Sequence, residues 1–573
     1  MKRLFSLLLT VTFCIAALAS CSRPGQSDRT HDEEIPADTA DEIKAISIDK
    51  MWNGVTSIEL SDKQVTVNGM PAATDSTEAV YTANDIVYYE DGKDFTYGEG
   101  TEEDAHTQAE AEVHTVVHIT QAGTYVLSGT ISAGQVAVDL GKEAEEDPEA
   151  VVTLILNGVD VTCTVAPGVI FYNVYECGEA DEETASRDVD TSAAGANVII
   201  PDGSCNIVNG SYVARIYKPE SVKLTEDGKA VEDAKKLHKY DAAFYSKMTM
   251  NVNGEEENSG RLYIYAENEG LDSELHLTVN GGCVYIRSGN DGINTNEDYV
   301  SVTTVNGGLV DIVVTGETGE GDGIDSNGWL VINGGTVRAS ACSRSADAGI
   351  DSDMGIHING GTVMAGGNML DRIEAGGQNY AVFQFAKRQS GGTEYVLRNE
   401  AGKDVFSWIP ENDFSYLVLS GDALTAGNYT LWSGETQMVG SAGRFGGMQM
   451  PGSFPSGIQA PGEWGDFDLS DLPWVPVDGH RPERGDGSAD GTRPEGSLPP
   501  QWNQDNVGHL PDTGDSNPFQ TVPPDDPQGG GRGPGMGGSF KDSGNQNANT
   551  NLSEIFVITD GGVTFTNVTA KPA

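Results

Sequence analysis

The chain has 573 residues, and its 87 acidic residues against 34 Lys and Arg give a formal net charge of -53 at neutral pH. An acidic excess of that size excludes nucleic acid and anionic lipid surfaces as electrostatic partners, because both require positive charge on the protein. It points instead to solvated surface and to bound cations.

Lys2 and Arg3 precede an apolar run, Leu4 to Ala19, that closes in small residues before Cys21. This pattern predicts an export signal over residues 1–20 rather than a membrane span. Leu18-Ala19-Ser20-Cys21 resembles a bacterial lipobox, whose cysteine becomes the lipidated first residue of the mature chain. The expected product is an exported, membrane-anchored lipoprotein facing the cell surface or periplasm, with the lipid on Cys21 as its membrane contact. Residues 21–55 read as a polar tether. No later stretch reaches the roughly 20 apolar residues of a membrane-spanning helix.

Strand-like alternation begins near Thr56 and recurs over Gly123 to Asp139 and Val151 to Cys163, while helical periodicity is nearly absent. The acidic stretches Asp28 to Glu42 and Glu90 to Glu112 read as solvated surface that need carry no site. Beyond Cys14 and Cys21, the cysteines are Cys163, Cys177, Cys205, Cys283 and Cys342, an odd number with no zinc-like spacing. Cys283 reads as a buried free thiol in an apolar stack.

An internal repeat follows. Val252-Asn253-Gly254 is echoed by Val279-Asn280-Gly281-Gly282, Val305-Asn306-Gly307-Gly308, Ile332-Asn333-Gly334-Gly335 and Ile358-Asn359-Gly360-Gly361, with asparagines 27, 26, 27 and 26 residues apart. A second phrase falls once per interval: Glu269-Gly270-Leu271-Asp272, Asp291-Gly292-Ile293-Asn294, Asp322-Gly323-Ile324-Asp325 and Ala348-Gly349-Ile350-Asp351. A period near 26 permits a leucine-rich repeat or a parallel β-helix. The fixed leucines of the first are missing, and Val, Ile, Thr, Tyr and Gly favour pleated strands. The expected fold is therefore all-β, a right-handed parallel β-helix over residues 56–434. A Gly/Pro-rich, disordered insertion is expected over 435–552, most biased from Arg444 to Asn551, with a returning strand of the same body over 553–573.

In such a coil, equivalent residues stack about 4.8 Å apart. Asp272, Asn294, Asp325 and Asp351 then form one column, flanked two positions later by Glu274, Asn296, Asn327 and Asp353, and preceded by Glu269, Asp291, Asp322 and Asp347. Two unit charges at that spacing repel by roughly 1 kcal/mol in water and roughly 3.5 kcal/mol at an effective dielectric near 20. Carboxylate and amide oxygens suit Ca²⁺, so the expected metal ligands are Asp272, Asp291, Asn294, Asp322, Asp325, Asn327, Asp351 and Asp353. The competing reading is that these residues only cap turns.

Ala122-Gly123-Thr124-Tyr125, Leu127-Ser128-Gly129-Thr130, Leu154-Ile155-Leu156-Asn157-Gly158-Val159, Ala243-Phe244-Tyr245-Ser246-Lys247-Met248 and the Asp-Gly-Ile repeats resemble bacterial cell-surface carbohydrate-binding β-helix proteins. That family is similar in fold to calcium-dependent pectate lyases, and the resemblance implies binding of calcium, cellulose and acidic pectic glycans. Ala348 departs from the pattern where the other repeats carry Asp or Glu.

Three functions compete: a calcium-dependent binder of plant cell-wall polysaccharide, a pectate-type lyase and a structural or adhesive scaffold. A lyase needs a basic group at the substrate, and Lys239, Lys247, Arg287, Arg338 and Arg344 lie near the ladder. Lys247, aligned with Glu274, reads better as a cation neutralising the ladder's end. Tyr245, Tyr299 and Trp329 are the candidate aromatic surfaces for sugar rings.

Overall fold

The computed structural model describes residues 43–46, 54–178, 180–443 and 552–572. The export signal, Cys21, most of the tether and the Arg444 to Asn551 stretch lie outside the described residues. Among the described residues no helix is long and apolar enough to cross a membrane.

The fold is all-β. Through the repeats, strands belong to three parallel series, and each rung contributes one strand to each, except that the last adds only the Ile350 bridge to the first. Glu269–Ser273, Ile293–Thr295 and Ile324–Ser326 stack in the first. His276–Val279, Val302–Val305, Trp329–Ile332 and Gly355–Ile358 stack in the second. Cys283–Ser288, Leu309–Val314, Thr336–Ser340 and Thr362–Gly367 stack in the third. The first series extends back through Ala242–Ser246, Val169–Asn173, Gly134–Asp139 and Thr115–Ile119 before an antiparallel edge at Val80–Ala83.

Alternation along each strand sends one set of side chains inward, and register stacks them like on like. Phe244, Leu271, Ile293 and Ile324 stand over one another, as do Val279, Val305, Ile332 and Ile358. All eight are essentially buried, within an apolar core that runs from Ile58 to Val418. Glycine in the acid phrase is a packing requirement. A Cβ on Gly292 would lie 2.6 Å from the Gly323 carbonyl oxygen and 2.2 Å from Ile312. The last glycine of each Asn-Gly-Gly phrase turns the corner with φ of +73° to +82° at Gly282, Gly308, Gly335 and Gly361.

The parallel pairing does not continue to residue 434. Thr362–Gly367 pairs antiparallel with Phe414–Ser420, which also pairs antiparallel with Tyr380–Gln389. The last rung would otherwise expose an unpaired edge, and a mixed module with its own core of Phe383, Phe385, Phe414, Phe556 and Phe565 covers it. Thr436–Gly443 lies in this module, inside the span expected to be insertion, and pairs antiparallel with Gly562–Ala570. Gly562–Ala570 also pairs parallel with Tyr380–Gln389.

The acidic stretch near residue 90 is more than solvated surface. Ile86, Tyr89 and Ala111 are buried against Val116, Ala137 and Ile170 on the outer face of the first series. The hairpin Val213–Tyr217 with Lys236–Tyr240 packs into the same cluster. Cys163 and Cys342 are buried free thiols, whereas Cys283 is only half buried and its Sγ donates to the Asn258 carbonyl at 3.2 Å.

Candidate metal and glycan site

One outward column of the first series changes character along its length. Ala137, Ile170 and Tyr245 stand in register with Asp272, Asn294 and Asp325. The apolar half lies beneath the residue 86–111 cover and the hairpin; the polar half gathers carboxylates into two clusters.

The first cluster holds Asp241, Glu269 and Asp272, with carboxylate oxygens all within 4.8 Å of one another. Glu269 is 4% exposed and Asp272 fully buried. Both carboxyls are held well above their usual range, first by burial and then by neighbouring charges, with Asp241 the largest for each. Lys239 Nζ lies 2.7 Å from Asp241 Oδ2. Asn296 Nδ2 donates to the two oxygens of Asp272 at 2.9 and 3.0 Å. Asn294 Nδ2 donates to Glu269 Oε1 at 3.2 Å. Asn294 Oδ1 and Glu269 Oε2 are buried without a hydrogen-bond partner. Buried acceptors left in that condition are costly.

The second cluster holds Asp291, Asp322 and Asp325, again with oxygens within 4.8 Å of one another. Asp291 and Asp322 are fully buried and Asp325 is 9% exposed. Asp291 Oδ1 accepts from the Asp322 N–H, and Asp322 Oδ1 from the Ala348 N–H, both at 2.6 Å. These carboxylates therefore cap the next rung's backbone and also converge on one another, so turn capping and clustering coexist. Nearby, Asn290 Oδ1 is buried without a partner.

The other expected ligands stand elsewhere. Asn327 donates to the Asn296 carbonyl at 2.8 Å and to Asp298 Oδ1 at 3.1 Å. Asp351 continues the column through the Ile324 to Ile350 bridge, and Asp353 is exposed, but neither belongs to a three-acid cluster. Asp347 accepts from the Gly321 N–H at 2.6 Å and from the Ser345 hydroxyl. Asp241 was missed, because its rung reads Asp241-Ala242-Ala243-Phe244 and lacks the acid-Gly-Ile phrase. Extending the alignment of Phe244-Tyr245 on Leu271-Asp272 three residues backwards places Asp241 opposite Asn268, one position before Glu269, a signal that was available.

Of the basic residues near the ladder, Lys239, Lys247, Arg287 and Arg338 meet carboxylates, as does the neighbouring Lys236. Lys247 lies 3.1 Å from Glu145, Lys236 3.0 Å from Glu274, Arg287 2.7 Å from Glu411 and Arg338 3.5 Å from Asp311. Of the aromatic candidates, Tyr245 is corrected: it is 1% exposed, its ring packs edge-on to Tyr240, and its hydroxyl donates to Glu274, so no sugar reaches its face. Tyr299 and Trp329 are half buried and line a common surface cavity of about 310 Å³.

Both clusters fit a hard divalent cation. Each offers three convergent carboxylates, and the first adds an amide oxygen and a carboxylate oxygen that nothing else satisfies.

Residues 113–180 and 182–379 match the family model described as carbohydrate-binding domain-containing protein, a span that includes both clusters. No curated protein matches the chain. Among solved structures, the polysaccharide lyase-like protein from C. thermocellum, a gadolinium derivative, matches with 18% identity and a TM-score of 0.31, over 54% of this chain and 90% of that one.

Proposed function

We propose that this protein is a calcium-dependent carbohydrate-binding protein whose repeats form a right-handed parallel β-helix, and that the two carboxylate clusters hold Ca²⁺ at an acidic polysaccharide-binding face. The match of residues 113–180 and 182–379 to a carbohydrate-binding family model supports the ligand class. Parallel series with one strand per rung support the coil.

The observation that carries the calcium reading is the buried, unpartnered Glu269 Oε2 and Asn294 Oδ1 beside Asp241 and Asp272. Three carboxylates crowded into a buried pocket repel, and they stay ionised at neutral pH when a divalent cation joins them and the Lys239 ammonium beside Asp241. Bound Ca²⁺ would be held by Asp241, Glu269, Asp272 and Asn294 in one site and by Asp291, Asp322 and Asp325 in the other. The ion supplies the positive charge that a chain of net charge -53 otherwise lacks for a polyuronate. The protein's own part is to fix the oxygens, with Asn296 orienting Asp272 and backbone N–H groups orienting Asp291 and Asp322. Export and lipid anchoring through Cys21 complete the reading, with the polysaccharide met outside the cytoplasm.

The test is calorimetric titration of polygalacturonate into the whole protein with calcium, with chelator, and in the variants Asp272→Asn and Asp325→Asn. Binding that disappears with chelator and weakens at least tenfold in either variant is the expected result. Binding indifferent to calcium and to both substitutions overturns the calcium bridge. An unsaturated product absorbing in the ultraviolet would replace binding by lyase chemistry.

A further inference from the structure

The first carboxylate cluster forms where the hairpin strand Lys236–Tyr240 runs into the first-series strand Ala242–Ser246, and Asp241 is the residue between them. Its carbonyl accepts from the Glu269 N–H at 3.1 Å and from Asn268 Nδ2 at 3.0 Å, which fastens the junction to the next rung. Tyr240, just before it, pairs with Val213 across the hairpin and is 6% exposed, its ring edge-on to those of Tyr172 and Tyr245. That packing holds the end of the hairpin strand against the rung. Lys239 is thereby delivered to the cluster, with Nζ 2.7 Å from Asp241 Oδ2 and its side chain only 20% exposed.

Charge can then be counted in the pocket. Asp241, Glu269 and Asp272 carry three negative charges when ionised, and Lys239 returns one. Glu274, two positions beyond Asp272, is matched by Lys236 at 3.0 Å, so that pair adds no net charge. The balance is two negative charges, which one divalent ion cancels. Burial makes the count matter, because a charge left over in a desolvated pocket is far costlier than one in water. Glu269 and Asp272 are raised first by burial and then by Asp241, and Lys239 acts against the rise in both. Its charge is therefore felt beyond the carboxylate it touches. An ion belongs there on separate grounds: Glu269 Oε2 and Asn294 Oδ1 lack partners on residues only 4% and 7% exposed.

We propose that Lys239 is the residue that sets the valence of the ion in the first site, holding the pocket at a net charge that a divalent cation neutralises and a trivalent cation overshoots. This rests on the calcium reading above and adds to it a determinant of which ion is accepted. The physical argument is a scaling. Removing a neighbouring positive charge favours any bound cation in proportion to that cation's own charge, so a trivalent ion gains more than a divalent one. Lys239 is a positioning and selectivity residue here; the carboxylates and the Asn294 amide oxygen remain the ligands.

The experiment uses the full chain carrying Asp325→Asn, which leaves the second cluster short of a carboxylate, as the reference. Calcium is titrated by calorimetry and Tb³⁺ by tyrosine-sensitised emission, since Tyr245 stands in register with Asp272. Adding Lys239→Met should raise the ratio of terbium to calcium affinity about tenfold or more, with calcium bound no more weakly than in the reference. Lys239→Arg keeps the charge and should keep the reference ratio. A ratio that Lys239→Met leaves unchanged, or affinities for the two ions that fall together, overturns the assignment. So does Lys239→Arg shifting the ratio as far as Lys239→Met, which would make packing the cause, or terbium emission that survives Asp272→Asn, which would put the ion elsewhere. If the reference binds both ions and the ratio ignores Lys239, the valence role alone fails. If the reference binds neither ion, the calcium reading falls, and the valence role with it.

Discussion

Two polar ladders climb the same rungs, and they solve stacking differently. Along the second series, Asn280 Nδ2 donates to Asn253 Oδ1, Asn306 to Asn280, Asn333 to Asn306 and Asn359 to Asn333, at 2.8 to 2.9 Å throughout. An amide carries donor and acceptor together, so each member satisfies its neighbour. Ionised carboxylates are acceptors only. Where Asp272, Asp291, Asp322 and Asp325 stack, they borrow donors from Asn296 and from backbone N–H groups, and around Glu269 and Asn294 the supply runs out. One ladder is complete as folded; the other, on the function proposed above, is completed by a cation. The lesson is that donor count, rather than stacking itself, determines which column is a site.

Calcium removal is the largest test of that contrast. With free calcium at about a hundred times its dissociation constant, each site adds roughly 2.7 kcal/mol to stability. Chelation should lower the melting temperature and speed amide exchange in Glu269–Ser273, Ile293–Thr295 and Ile324–Ser326, with the Asn-bearing strands less affected. Equal loosening of both series, or none, would erase the distinction.

Asp272→Asn and Asp325→Asn make a smaller change with a crossing sign. Each converts an acceptor-only group into an amide and removes one charge, relieving repulsion of about 1 to 3.5 kcal/mol per neighbouring pair. Without calcium each variant should melt above the parent; with calcium each should melt below it. Parallel behaviour in both conditions would mean that these residues serve the fold as turn caps alone.

Much of this contrast was legible beforehand, because the period belongs to the rung. The asparagine column keeps near-constant intervals, and the structure sets its members in register. The convergence of particular carboxylates was less legible. Spacing in the acid series runs 27 residues from Phe244 to Leu271, 22 to Ile293 and 31 to Ile324, since a short turn in one rung is compensated in the next. Unequal turns decide which acids face inward on a cluster, so Asp241 joined while Asn327, Asp351 and Asp353 did not. Tyr245 reads as an outward residue, and so it is, but the hairpin strand ending at Tyr240 folds back over it, a local cover that the 26-residue period does not register. The switch to antiparallel pairing after Thr362–Gly367 was equally invisible, because alternation of side chains is the same in both pairings.

Acidity probes the same columns with a still smaller effect. Glu269 and Asp272 titrate above their ordinary range in the folded, metal-free protein. A raised folded value means that the native state holds protons that the unfolded chain has already released, so these groups cost stability at high pH. That cost disappears as pH falls through the folded values toward the ordinary carboxylate range near 4. His276, pushed down to about 4 by burial, works the other way below its usual range. Comparing parent with Asp272→Asn cancels the His276 contribution. In chelator, the parent should gain on the variant as pH falls from neutral to about 5; with calcium it should lose ground, since protons and calcium compete for the same oxygens. A difference independent of calcium would refute shared ligands.

The smallest effect should come from breaking the ladder that needs no ion. Asn333→Ala removes the Nδ2 that donates to Asn306 and the Oδ1 that accepts from Asn359. Both neighbours are exposed in part, so water replaces the lost partners, and the net cost should be about 0.5 to 1.5 kcal/mol. Calcium should stabilise this variant by as much as the parent, because neither cluster shares an atom with the asparagine column. Polygalacturonate binding should likewise be unchanged. Thermal melts at several calcium concentrations give the outcome directly: two curves displaced by a constant offset keep the ladders independent, while an offset that closes or widens with calcium means that the amide column helps to position the carboxylates across the corner.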